Sequence, residues 1–454
     1  MQKPIYGKLY YNNKTYPFIL EDHIVFIVQQ AFEYRDDFKN FDNDTFLYGV
    51  TSNNAYIVFL NSKISQTVFQ ANVFFSIQGY ILYKQQDIDD FGFDKLAFYS
   101  DALNVFYSPQ KAIKQDFIGV NGDEWDGSFK INIQPSSKTN VSFEFDNIKC
   151  DLDFHRSLNL NRDISEIGNI KTVFSFEFKE RIEVLNVAKY YLMLFDFLSF
   201  ANNSKNLSFS SIKLIQKEDD HFLHVGDATI FSKESTYSRG FLNTITFDDL
   251  PQNKLGEIFE KIVQIREKDN RLTLYFPENE KESNWVDASK WLQAAISFEG
   301  LFSDSYPNFK VNTKGSFKKA KQLSLEKLEA YMNANDFNSL TKKEKQYYVD
   351  CKKQIENYEG LLEEKFNFFL EKYKVALSLI LDNIYKTLSI DKNCNLGKIY
   401  SDYRNKLAHG KIEILTPKET AIYRILRAMI YILLLEDVSL SDEQLAKIIN
   451  KVFK

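Results

Sequence analysis

Cysteine is scarce in this chain: Cys150, Cys351 and Cys394 are the three in 454 residues, far apart and odd in number. They indicate neither a disulfide framework nor a thiolate metal site, and a reducing cytoplasm is the compartment they suggest. Nor does Met1-Gln2-Lys3-Pro4-Ile5-Tyr6 show the charged region, apolar run and small-residue cleavage site of a secretory leader. The longest apolar run, Ala428 to Leu435, has eight residues, where a membrane span takes about 18 or more. A soluble protein without membrane contact is the expectation. Glycine-rich phosphate loops of the P-loop or dinucleotide type are absent, and so is the Gly-x-Ser-x-Gly turn of hydrolases. No internal repeat or long low-complexity segment is found.

Histidine is nearly as rare, with five in all. His23 and His155 stand alone in β-rich surroundings and read as structural. His221 and His224 lie beside Asp219, Asp220 and Asp227, but residues three apart in a strand point to opposite faces, and spacing fixes no third or fourth ligand. No metal and no cofactor is therefore expected.

The fifth histidine is different. Tyr403-Arg404-Asn405-Lys406-Leu407-Ala408-His409-Gly410 places an arginine and a histidine five residues apart at the end of an amphipathic helix. An imidazole exchanges protons near neutral pH, and a guanidinium is a permanent forked cation suited to a phosphate gaining charge. Together they supply the means to cleave RNA without a metal. At about 100° per residue Arg404 and His409 lie roughly 140° apart, whereas Asn405 and His409 share a face, so Asn405 is placed to orient the ring. Gly410 stands where helices end in a left-handed residue, putting His409 in the last turn, where the helix dipole favours its protonated form. Asp402 and Lys406 form an i, i+4 pair at the surface. Such short spacings recur by chance, so context has to carry the case.

The context is a change of period. From Ile5 to about Asn161, short apolar or alternating runs such as 55–60, 71–77, 103–107 and 128–133 read as strands. Further strands are expected at 173–178, around Ile212, at 222–230, 244–247 and 271–276, with helices over 182–200 and 254–267. The high aromatic content, 41 Phe and 26 Tyr, fits a large β-rich core. Residues 1–280 thus read as an α+β region built on an antiparallel sandwich or barrel-like sheet, with a subdivision near Leu160 left open. Pro277 to Ser283 is the boundary. Beyond it helices are expected over 285–304, capped by Ser283 or Asn284, then 325–333, 342–388 as one long or broken helix, 396–408, and 440–452. Thr416, Pro417 and Glu419 form a capping signature for a helix to Leu435.

Charge divides the same way. From Asn284 onward there are 27 Lys and Arg against 22 Asp and Glu, a net of +5; residues 1–283 hold 30 against 40, a net of −10. A basic back half fits a nucleic acid, and an acidic front half fits a different partner or nothing in particular. Lys314, Lys318, Lys319 and Lys321, with Tyr306, Phe309 and Phe317 nearby, form a candidate RNA-backbone and base-stacking patch, Lys406 being a further candidate; a solvated face is the competing reading. Tyr403 is open between base stacking and helix packing.

The segment Arg-Asn-Lys-Leu-Ala-His-Gly, the helix Trp291 to Phe302, and the order of β-rich front half then helical back half resemble the ApeA-like HEPN proteins of bacterial phage defence. The resemblance covers roughly Trp285 to Leu435. It implies a metal-independent ribonuclease with an R-x4-H motif at Arg404 and His409, Asn405 as the polar residue after the arginine, and Glu299 as the acidic residue of the first HEPN helix. It further implies a homodimer or higher even oligomer built through the HEPN domain, RNA as substrate with tRNA among the candidates, and a phage-derived trigger sensed by residues 1–280. The competing class is a non-catalytic HEPN interaction or nucleotide-binding sensor protein.

Overall fold

The computed structural model describes residues 3–28, 37–38, 41, 47–60, 63–66, 73–84, 91–117, 129–133, 139–159, 169–219, 221–231, 243–268, 276–278, 282, 285–309, 315–356, 362–388, 391–392, 394–411 and 414–453. The chain forms two compact units, Met1–Asn284 and Trp285–Lys454.

The first unit is built on one antiparallel sheet of 14 strands, not the two sheets of a sandwich, together with a separate pair, β10 (Ile113–Phe117) and β11 (Phe129–Ile133). Strands β1 (Ile5–Tyr11) to β8 (Gly79–Tyr83) make one end of the large sheet. Strands β9 (Phe93–Ser100), β12 (Thr139–Phe145), β13 (Ile148–Asn159), β14 (Asn169–Ile182), β15 (Phe209–Glu218) and β16 (His221–Ile230) make the other. The halves meet where β16 pairs with β8, from Gly226–Tyr83 to Ile230–Gly79. β13 and β14, which precede and follow Leu160 in sequence, are paired from Cys150–Phe178 to Asn159–Asn169, so both belong to the same sheet.

Local chemistry sets the hairpins. Asn12 and Asn13, at φ 48° and 60°, turn β1 into β2 (Lys14–Glu21), and Asp146 and Asn147, at 49° and 63°, turn β12 into β13. Two consecutive left-handed residues match the right-handed twist of the strands they join, and Asn and Asp tolerate that region. In β2 the period of two buries Tyr16, Phe18 and Leu20 while Thr15, Pro17 and Glu21 face solvent.

The Phe-rich face of β13, β14 and β9 is covered by helices. α1 spans Asp101–Phe106, α2 Val187–Asn202 and α3 Leu255–Lys268. Phe259 of α3 packs edge-on against Phe143 at 5.1 Å, and Tyr190 of α2 lies 5.2 Å from Phe176. The segment Val184–Asn202 is long and apolar enough to cross a membrane, yet 72% of it is buried inside the unit. Lys189 and Asp196 interrupt its apolar run, which is why a search for uninterrupted runs passes it by.

Two expected strands are absent. Residues 103–106 lie in α1, with Tyr107 as its C-cap, because Ser100 caps its start, accepting the Ala102 amide at 3.1 Å, with Asp101 in its first turn. Residues 244–247 lead into a short 3₁₀ turn, Phe247–Asp249, closed by a capping box between Thr246 and Asp249. The strand expected over 271–276 lies, save for Phe276, outside the described residues.

Asp196, with no exposed surface, receives Arg266 Nη1 at 2.5 and 2.6 Å on its two oxygens, tying α2 to α3. Burial outweighs this pairing and pushes the Asp196 carboxyl up to about 6 from 3.8. An acid whose folded pKa is raised gives a contribution to stability that is complete below the unfolded value and is lost as pH rises through the folded one. The protein should therefore lose up to ~3 kcal/mol of stability from this group between about pH 4 and pH 6, at roughly 1.4 kcal/mol per pKa unit. In Asp196→Asn that part of a Tm-against-pH profile should be flat.

Among its described residues the second unit has helices and no strands: α4 (Ala288–Ser305), α5 (Gly315–Met332), α6 (Asn335–Asn338), α7 (Lys342–Glu356), α8 (Leu362–Lys372), α9 (Lys374–Leu388), α10 (Leu396–Ala408), α11 (Pro417–Leu435) and α12 (Asp442–Val452). Asp287 caps α4, its side chain accepting the Lys290 amide at 2.8 Å, in place of Ser283 or Asn284. The stretch 342–388 is three helices, and α5 begins ten residues before the expected Leu325. α11 is buried along most of its length and forms the centre of the bundle. At one end of it Glu436 collects Lys372 at 2.7 Å and the hydroxyls of Tyr306 and Tyr373.

Candidate functional site

The site is assembled by α4, α10 and the start of α11. Asn395 caps α10, accepting the Lys398 amide at 3.0 Å. Gly397 follows because a Cβ there would lie 2.5 Å from Asn367 Oδ1 and 2.6 Å from the Glu363 carbonyl, so only glycine allows α10 to approach α8 this closely. Further along, Tyr400, Tyr403 and Leu407 form the buried face. Trp291 of α4, fully buried, stacks edge-on against Tyr403 at 4.8 Å and donates its indole N–H to the Glu419 carbonyl of α11 at 2.9 Å. One side chain thus joins the three helices.

Arg404 sits one turn after Tyr400, and both reach Glu299 on α4. Its Nε and Nη2 donate to Glu299 Oε1 and Oε2 at 2.9 and 3.0 Å, and the Tyr400 hydroxyl donates to Oε1 at 2.9 Å. The pair is partly open, with Arg404 28% and Glu299 20% exposed. The hydrogen bond to Glu299 holds the Arg404 guanidinium above its already high range. Burial, and after it the Glu299 carboxylate, push the Tyr400 hydroxyl well above the ordinary phenol range, so it remains a donor. Tyr400→Phe should cost about 1–3 kcal/mol in a urea titration, because the part-buried Glu299 carboxylate loses a charge-assisted donor.

α10 ends in a Schellman motif. Gly410 adopts φ +72°, its amide bonds the Leu407 carbonyl at 3.0 Å, and the Lys411 amide bonds the Lys406 carbonyl at 3.0 Å. His409 is the cap residue, with φ −91° and ψ 14°, and is exposed. Its ring and the guanidinium of Arg404 do not bond to each other: the guanidinium turns inward to Glu299 and the imidazole stands at the open helix end.

The structure thus brings together Arg404 and Glu299, adds Tyr400, and places His409 nearby in sequence at the solvent edge. Tyr400 was not anticipated, although its i−4 relation to Arg404 was the signal. Tyr403 is taken up by helix packing and is 3% exposed, which removes base stacking as its role. Asn405 is exposed and its carbonyl accepts the His409 amide at 3.1 Å, but its side chain makes no bond to the ring, because His409 leaves the helical conformation at the cap. Lys406 is exposed in the last turn. Of the lysine patch, Lys314 and the side chain of Lys318 lie outside the described residues, while Lys319 is exposed and Lys321 half-buried on α5. Phe309 and Tyr306 are not free to stack a base: Phe309 packs on Phe302 at 5.0 Å and Phe368 at 4.9 Å, and Tyr306 belongs to the Glu436 cluster.

Among the described residues no three of His, Cys, Asp and Glu gather as a metal-binding group. His224 is held instead by Asp227 at 3.0 Å and Lys84 at 3.0 Å. No protein-family model, curated protein or solved structure matches the chain.

Proposed function

We propose that the chain is a metal-independent endoribonuclease of the HEPN type, acting in the cytoplasm in bacterial defence against phage. The observation that carries this reading is the pairing of an anchored cation with an exposed imidazole. A guanidinium has five N–H donors, and Glu299 takes two, leaving three for a phosphate; His409 meets solvent at a rigidly capped helix end. The substrate's own 2′-hydroxyl is the nucleophile, which requires one group to remove its proton and another to protonate the departing 5′-oxygen. One chain offers a single motif histidine. Two chains about a twofold axis would supply two imidazoles as base and acid and two guanidinium groups for the pentavalent phosphate, so a homodimer, or a higher even assembly, is part of the proposal. The β-rich unit would then receive the infection signal.

The test is the chemistry of the cut ends. Wild-type protein incubated with cellular RNA in EDTA should leave 2′,3′-cyclic phosphate and 5′-hydroxyl termini, with tRNA among the substrates to examine. Loss of cleavage on chelation would refute the metal-free scheme.

One observation favours the second reading, a non-catalytic HEPN interaction or nucleotide-binding sensor: Arg404 is engaged within its own bundle by Glu299. In that case purified wild-type protein and His409→Ala would show the same background hydrolysis.

A further inference from the structure

Two helices of the second unit add little to its core. Across residues 319–356, which span α5, α6 and α7, no described residue is buried, while α11 is buried along most of its length. α5 and α7 face each other along a shallow seam lined by Leu328, Tyr331, Tyr348 and Ile355, with Tyr331 and Tyr348 ring centroids 5.0 Å apart and Lys352 paired to Glu329 at 2.7 Å. Thr341 caps α7, its amide donating to Glu344 Oε2 at 2.8 Å. The result is a helical hairpin that is held to itself and offers its outer surface to solvent.

That surface has a definite chemistry. Residues 315–356 contain nine lysines against six acidic residues, so the hairpin supplies +3 of the net +5 of residues 284–454. On the solvent side of α7, Lys342, Gln346 and Lys353 fall in one row, and Lys343 and Tyr347 form the next, spread over ~16 Å of helix at 1.5 Å per residue. The three lysines are exposed and none pairs with a carboxylate among the described residues. Asp350 on this side already accepts the Gln346 amide at 3.0 Å, and Glu356 follows on the same face at the end of α7. Tyr347 is 65% exposed.

We propose that the solvent side of α7 is a docking arm for single-stranded RNA, with Lys342, Lys343 and Lys353 neutralising backbone phosphates and Tyr347 stacking a base; the inference rests on the ribonuclease reading of the Arg404–His409 site. Unpaired cations spaced along a groove or ridge with an aromatic face beside them are the elements by which proteins hold single strands. A membrane surface would require a continuous apolar stripe, and this side of α7 offers Val349 alone.

The experiment measures binding apart from cleavage. The full chain carrying His409→Ala is titrated into a fluorescein-labelled single-stranded 20-nucleotide RNA of mixed sequence, following anisotropy at several NaCl concentrations. Adding Lys342→Gln, Lys343→Gln and Lys353→Gln together should weaken binding more than tenfold at low salt and lower the slope of log Kd against log salt by about 2, at roughly 0.7 per phosphate contact released. Tyr347→Ala should weaken binding about tenfold with the slope unchanged, as expected when a stacked base is lost. Circular dichroism of each variant should match the parent, since these side chains face solvent. An unchanged affinity and slope in the triple variant would overturn the arm. So would a change in sedimentation showing that the triple variant alters self-association while RNA affinity stays the same, or binding to phosphatidylserine vesicles in place of RNA. A chain that binds RNA through α7 but cuts none would leave the arm standing and remove the nuclease reading; cleavage with an unaltered KM in the triple variant would do the reverse.

Discussion

His409→Ala is expected to lower RNA cleavage by at least 10²-fold, and up to ~10⁴-fold, the usual range for loss of a general acid or base, while leaving the fold intact. His409 is exposed at the helix cap, so thermal unfolding should change by no more than a surface substitution does, about 0.5 kcal/mol. If the proposed site is shared by two chains, a sharper signature follows. Mixing wild-type and His409→Ala chains should give heterodimers with one imidazole, and activity should fall faster than in proportion to the mutant fraction. Cleavage by His409→Ala at the wild-type rate, with the same cyclic-phosphate ends, would discard the assignment. Arg404→Lys is a companion test: a lysine cannot reproduce the two-point bond to Glu299 and keep donors for phosphate, so it should fail almost as fully as alanine.

The largest effect on stability should come from Trp291→Ala. The indole is fully buried, packs on Tyr403 and Tyr400 at 4.8 and 5.8 Å, and satisfies the Glu419 carbonyl. Removing so large a ring costs about 3–5 kcal/mol from lost burial and the cavity left behind. For a unit of this size each kcal/mol shifts Tm by roughly 2–4 °C, so a drop on the order of 10 °C is expected by calorimetry. Trp291→Phe, which keeps most of the volume but abandons the carbonyl, should lose less. An equal loss from both variants would place the stabilisation in the hydrogen bond and not in packing.

Much of the motif region was legible because its determinants are local. Gly410 after His409 announced the left-handed stop, and Thr416 with Glu419 announced the capping box of α11, which the structure contains. Glu299 came from resemblance alone; Tyr400 stands i−4 from Arg404 on the same helix face, but its bond to Glu299 joins residues 101 apart in sequence and was not anticipated. The run Leu103–Tyr107 misled because a short apolar stretch fits a strand or a buried helix equally, and only the Ser100 cap decides. An antiparallel sheet was legible from the alternating runs, but its strand order was not: pairing of β14 with β9, or β16 with β8, depends on contacts between segments far apart in the chain, and periodicity says which residues are buried, not against what.

The junction of β16 with β8 bears on how the molecule is made. Strands β1 to β8 are complete within the first 83 residues, but their last member waits for a neighbour that ends at Ile230. During translation, at roughly 5–20 residues per second, β8 therefore stays an open edge for about seven to thirty seconds. Helix α10, which carries Arg404 and ends at His409, leaves the ribosome only after the partner of that edge has been made, so a nascent chain has its β-rich half available to fold before the motif helix emerges.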